Sequence, residues 1–233
     1  MGLNWSQFGG LSRFLSPYST LERTELPFVF SQPRFETYLR AASGDVEKAL
    51  KLYEWNLELS AALFTPLQVC EVAMRNGVAE ALNAVHGSNW PWSKGFQRSL
   101  PHKPKGYDPS RDLQSALRGA TTTGQVVADL KFMFWQSMFT VGQDARLWGP
   151  HLHAVFPGVS KNTSASVARS IAFADLDAIR RLRNRVAHHE PIFATNISDE
   201  YSRIHNVVSW RSQTAAQWMD RRQRVLRIAR QRP

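Results

Sequence analysis

The chain has 233 residues, of which 43% are hydrophobic, including 13 Phe and 8 Trp. That is enough apolar material for a sizeable core, and it excludes a chain disordered by composition. A net charge of +10 and a pI of about 10.2 point to a polyanionic partner, such as nucleic acid or an anionic surface. Cys70 is the single cysteine, which excludes an internal disulfide and fits a reducing, cytoplasmic setting.

No apolar run approaches the roughly 20 residues of a membrane span. The first residues lack the basic start and apolar stretch of a secretory signal. Met1-Gly2-Leu3-Asn4-Trp5-Ser6 matches a myristoylation pattern, read here as a chance match. Residues 1–33 carry Gly9-Gly10, Pro17, Pro27 and Pro33 without sustained periodicity. They read as an irregular lead-in that packs Phe28 and Phe30 onto the body. A short helix is expected over Arg34 to Ala42, and Ser43-Gly44-Asp45 breaks the chain and caps the next helix.

Asp45 opens a helix whose face holds Val46, Ala49, Leu50, Tyr53, Leu57, Ala61 and Phe64. Pro66 suits a first turn, so a second helix is expected from there to Gly87. Its stripe runs Leu67, Cys70, Glu71, Met74, Val78, Ala81, Leu82 and Val85. Glu71 intrudes on that stripe. Either it meets a cation from another helix, or it pairs with Arg75 four residues on.

Residues 87–110 read as a long basic, aromatic loop with Trp90-Pro91-Trp92 and His102-Lys103-Pro104-Lys105. Its tryptophans either pack on the body or stack on RNA bases. Asp112 to Leu117 is a short helix and Gln125 to Phe139 a longer one, with Val126, Val127, Leu130, Phe134 and Met138 inward. Phe132, Trp135 and Phe139 leave that helix little polar surface. It is therefore buried on two sides or faces a second copy. Trp148-Gly149-Pro150 is a turn, and His151 and His153 have no Cys, Asp or Glu cluster to complete a metal site. No metal or other cofactor is expected.

From about Ser164 a helix runs to the histidines, with Ala168, Ile171, Ala172, Ile179, Leu182 and Val186 on its buried stripe. Pro191 disfavours helix at Glu190 and ends it. On the helical wheel Arg180, Arg181 and Arg185 point away from the stripe, and Arg183 lies on it. A guanidinium among apolar groups needs an anion. Glu71 is one choice, which would make Arg183 a salt-bridged core residue; a phosphate is the other. His188 and His189 beside that arginine resemble a general acid/base next to an anion clamp. Alternatively one caps the helix and the other is solvated. After Pro191 a helix is expected from about Ser198 to Arg230. It ends in Arg221, Arg222, Arg224, Arg227, Arg230 and Arg232 with no acid after Asp220. This basic helical tail, residues 221–233, reads as phosphate-contacting. Absence of strand alternation predicts an all-α bundle of about six to eight helices in one domain.

Arg183-Asn184-Arg185-Val186-Ala187-His188 matches the arginine, four to six residues, histidine motif of HEPN ribonucleases, with the common Asn after the Arg. The run from Leu182 to Pro191 resembles the Abi (abortive infection) branch of that superfamily. So does Tyr53 to Asn76, with Trp55-Asn56, Glu71 and Arg75-Asn76. The resemblance implies a HEPN-like helical fold, usually dimeric, with the motifs of two copies meeting. It implies a metal-independent endoribonuclease acting as a toxin or phage-defence effector, with RNA as substrate and an antitoxin of RNA or protein; no membrane partner is expected, because no apolar run is long enough to span one. His188 would be the acid/base, Arg183 the phosphate clamp, and Asn184 would orient the site. His189 also satisfies the spacing. On an ideal helix Arg183 and His188 stand about 140° apart. Hence the helix ends early, or two copies share the site, or His189 takes part. The alternative function is a non-catalytic RNA-binding or scaffold module.

Overall fold

The computed structural model describes residues 16–102 and 105–233. The myristoylation-like start, Gly9-Gly10 and the Lys103-Pro104 pair lie outside the described residues. The described chain is all-α: about 74% is helical, in 12 α-helices, with no strand among the described residues. It divides into two compact units, one holding the residues up to Glu58 with Gln231–Pro233, the other Leu59–Arg230.

In the first unit, α1 (Thr20–Val29) and α2 (Gln32–Ala41) precede the start of α3 (Val46–His86). Helix α1 occupies part of the expected irregular lead-in. Its signal is local: Ser19 and Glu22 form a capping box, satisfying two end N–H groups reciprocally. Phe30 stacks on Tyr53 with ring centroids 4.4 Å apart, whereas Phe28 is exposed rather than packed. The Asp45 Oδ1 atom accepts the Lys48 N–H at 3.0 Å and caps α3 as expected.

The second unit holds the rest of α3, which continues through Pro66 as one 41-residue helix. Two helices were expected there. An interior proline removes one backbone bond and crowds the preceding turn, at about 3 kcal/mol. Burial offsets it: Leu59, Leu63, Leu67, Cys70, Met74, Val78, Ala81 and Leu82 are all buried on this stretch. The continuous helix is also long and apolar enough, by length and composition only, to cross a membrane, unlike the shorter apolar runs expected from the sequence. Gly77 allows close packing, since a Cβ there would sit 2.8 Å from the Phe156 ring.

The next segment is less irregular than its composition. A 3-10 turn at Trp90–Trp92 leads into α4 (Lys94–Ser99), and Trp90 is fully buried against Phe96, Phe134 and Trp135. Trp92 stays partly exposed. Helix α5 is Pro109–Ala116, capped by Asp108. The expected 125–139 helix is instead α6 (Thr123–Asp129) and α7 (Phe132–Ser137), parted by extended backbone at Leu130 and Lys131. Asp112 Oδ2 accepts the Lys131 N–H at 3.3 Å, a tertiary bond that no local pattern encodes. The break allows Phe132, Phe134, Trp135, Met138 and Phe139 all to be buried within the chain. The aromatic surplus therefore needs no second copy.

A 3-10 turn (Val141–Gln143) and a π-helical turn (Asp144–Trp148) feed α8 (Gly149–Val155), so Trp148-Gly149-Pro150 opens a helix and is not a free turn. Helix α9 (Ala165–Ala187) comes next, capped by Ser164. The long C-terminal helix is three helices: α10 (Ile197–Arg211), α11 (Gln213–Arg222) and α12 (Val225–Ala229). Ser212 turns extended and its Oγ caps α11 through the Ala215 N–H at 3.2 Å.

Candidate functional site

Helix α9 buries Ala168, Ala172, Asp175, Leu176, Ile179, Leu182 and Val186. Two stripe positions differ from expectation. Ile171 is 43% exposed, and Asp175 is buried in its stead, with Arg203 Nη1 2.6 Å from its Oδ1. Arg183 is not a core residue either. Its side chain is 44% exposed, at the edge of the stripe where the next turn leaves the core.

The flanking arginines are held inside the chain. Arg180 donates to Gln136 and Asp177, and Arg181 also pairs with Asp177. Hydrogen bonding from Arg180, then from Gln136, together with the charge of Arg181, holds the Asp177 carboxyl below its usual range against its desolvation. Arg185 donates to the Pro191 carbonyl. These three cations brace the helix end and its neighbours.

The helix closes at His188 in a Schellman arrangement. The His189 N–H bonds to the Val186 carbonyl at 3.2 Å and the Glu190 N–H to the Arg185 carbonyl at 2.8 Å. The residue after the cap must then turn left-handed, a position usually given to glycine. Here it is His189, at φ 56°. Left-handed backbone is costly for a side chain with a Cβ. The turn also takes His189 off the helical wheel. On an ideal helix His188 and His189 would stand about 140° and about 120° from Arg183, and the left-handed turn frees His189 from that geometry.

As a result His189 lines a groove with Arg183. The groove has a volume of about 510 Å³ and is walled by two helix faces. From α3 come Phe64, Leu67, Gln68, Glu71, Val72 and Arg75, which recur at the three-or-four spacing of one face. From the end of α9 come Arg183, Val186 and Ala187, and then His189. His188 is not among the residues that line it.

Across the groove Arg183 Nε lies 3.7 Å from Glu71 Oε2. Glu71 thus meets the cation of another helix rather than Arg75. The Arg75 Nε is buried with no hydrogen-bond partner among the described residues. Three cationic or protonatable groups therefore face a single carboxylate, a balance that favours an anionic ligand.

A second hollow of about 370 Å³ shares Glu71 and Arg183 with this groove. Asn184, Arg180 and Lys131 line it. Asn184 thus lines the second hollow with Arg183, whereas His189 lines the first. No protein-family model matches this chain, and neither a curated protein nor a solved structure matches it.

Elsewhere, Arg221, Arg222, Arg224, Arg227 and Arg230 are exposed along α11 and α12, and none is in an ion pair among the described residues. His151 and His153 sit on α8, and no group of three or more His, Cys, Asp or Glu able to hold a metal occurs among the described residues. Phe64, Gln68, Arg75 and Lys131 were not singled out as site residues by sequence. Phe64, Gln68 and Arg75 could have been found, since they share the face of Glu71. Lys131 could not, because its place depends on the break between α6 and α7.

Proposed function

We propose that the chain is a metal-independent endoribonuclease of the HEPN type, resembling the Abi branch. The observation that carries it is the shared groove of Arg183 and His189, with Glu71 between the helices. His189 takes the proton of a ribose 2′-hydroxyl, whose oxygen attacks the adjacent phosphorus. The bond to the leaving 5′-oxygen breaks, that oxygen takes up a proton from water, and the protonated His189 returns its proton to solvent. Products are a 2′,3′-cyclic phosphate and a 5′-hydroxyl. Arg183 exchanges Glu71 for the phosphate and stabilises the charge growing on its oxygens. Asn184 and Lys131 hold the strand from the second hollow. The acid/base role is assigned to His189, which lines the groove with Arg183; His188 is not among the lining residues.

With the resemblance come a toxin or phage-defence role, an antitoxin partner and a cytoplasmic homodimer. The dimer rests on the resemblance alone, since one copy supplies both Arg183 and His189 to the groove. Incubating purified protein with end-labelled RNA in EDTA tests the activity. Cleavage with cyclic-phosphate ends supports it, and intact RNA opposes it. A second reading, RNA binding without cleavage, is favoured by the exposed arginines on α11 and α12 and at the ends of α12, which form no ion pair among the described residues and need no proton transfer.

A further inference from the structure

The groove between α3 and α9 is not uniform. Its charged and polar groups, Glu71, Arg75, Arg183 and His189, are only part of its wall. Leu67, Val72, Val186 and Ala187 supply apolar surface beside them, and Phe64 adds an aromatic ring. Phe64 is 63% exposed in the middle of α3, where Leu59, Leu63 and Leu67 are buried; Leu57, seven residues earlier, is also exposed, at 47%. Along α3, Phe64 precedes Glu71 by two turns, roughly 10 Å of axial rise. Gln68 stands between them and offers both a donor and an acceptor.

An inorganic anion would use only the charged end. The size of the groove suits an organic ligand, since such sites commonly enclose about 300–1,000 Å³. The charge balance asks that this ligand carry phosphate. The exposed ring and apolar wall ask that it also carry a flat face, and Gln68, which lines the groove, offers hydrogen-bonding groups to its edge.

We infer that this groove is a nucleotide subsite, in which a base stacks on Phe64 beside Gln68 while its 3′-phosphate is held by Arg75 and Arg183. The inference rests on the ribonuclease reading for its polarity. The nucleotide in the groove is then the one whose 2′-hydroxyl attacks. Arg75 is a second phosphate-binding residue, and Phe64 and Gln68 determine which base is accepted. Arg75 fits this role because it lines the groove and its Nε is buried with no hydrogen-bond partner among the described residues, at a cost that a phosphate oxygen would remove.

Calorimetric titration of the full chain with the four 3′-nucleoside monophosphates, and with inorganic phosphate, tests it. The nucleotides should bind more tightly than phosphate. Phe64→Ala, at an exposed position that leaves folding intact, should weaken nucleotide binding about ten- to a hundredfold, the usual loss for a base-stacking ring. It should leave phosphate binding unchanged, and Phe64→Trp should restore nucleotide binding. Arg75→Ala should weaken both ligands. Nucleotides binding no better than phosphate would overturn the subsite, as would parental nucleotide affinity in Phe64→Ala. A parallel RNA-cleavage assay separates the two ideas. Cleavage with Phe64-independent nucleotide binding removes the subsite and leaves the ribonuclease. Phe64-dependent binding without cleavage retains the subsite and removes the ribonuclease.

Discussion

Arg183 Nε lies 3.7 Å from Glu71 Oε2, bridging two helices at a separation longer than a good charge-assisted hydrogen bond. The pair is loose and partly solvated, so a phosphate can replace the carboxylate. Glu71→Gln should therefore change stability little, by about 0–1 kcal/mol. RNA binding should tighten, because the groove loses the negative charge that competes with phosphate. Urea unfolding and RNA titration check this. A loss above about 2 kcal/mol would instead make Glu71 a structural anchor.

His189 occupies a left-handed position that glycine would fill without strain. His189→Gly should keep the fold at parental stability or up to about 1 kcal/mol above it, while cleavage is lost. Thermal unfolding beside the RNA assay separates the two effects. A clear fall in stability would show that the imidazole supports the helix end.

The basic tail should set the salt dependence of RNA binding. Val225 and Ile228 are buried among its arginines, so deleting residues 221–233 would also strip core. Replacing Arg221, Arg222, Arg224, Arg227 and Arg230 with Gln is the cleaner change. Each arginine–phosphate pairing removed in this way should flatten the slope of log K against log salt by about 0.7 for single strands. An unchanged slope would remove the tail from the interface.

Asp177 gathers Arg180, Arg181 and Gln136 and ties α7 to α9. Its folded pKa lies below the ordinary value of 3.8, chiefly through the Arg180 hydrogen bond. A depressed carboxylate contributes stability that is fully present above its unfolded pKa and lost as pH falls through the folded one. Asp177→Asn should thus be destabilising at pH 7, and the difference should shrink below about pH 4. Urea unfolding at both pH values measures it; an equal difference at each would assign the effect to packing.

The all-α class and most helix positions were legible in the sequence, because apolar spacing and caps such as Asp45 and Ser164 are local signals. Boundaries set by tertiary contacts were not. Pro66 read as a helix start because the burial that carries α3 through it is not local. Leu130 and Lys131 read as helix because the Asp112 bond is distant in sequence. At the site, Arg183 and Glu71 were legible as a charge-bearing pair of intruders on apolar stripes. The wheel still set Arg183 too deep, by making the stripe continuous to the end of α9. The place of His189 depends on a backbone reversal after the cap, at a residue other than glycine, and the wheel cannot show that.

The most direct measurement is cleavage of labelled RNA in EDTA by the parent chain, His188→Ala and His189→Ala. The groove predicts that the parent leaves cyclic-phosphate ends and that His188→Ala keeps most of the rate. His189→Ala should lose about a hundred- to ten-thousandfold, the usual loss when a general acid/base is removed. Parental cleavage by His189→Ala, or intact RNA with the parent chain, would contradict the account.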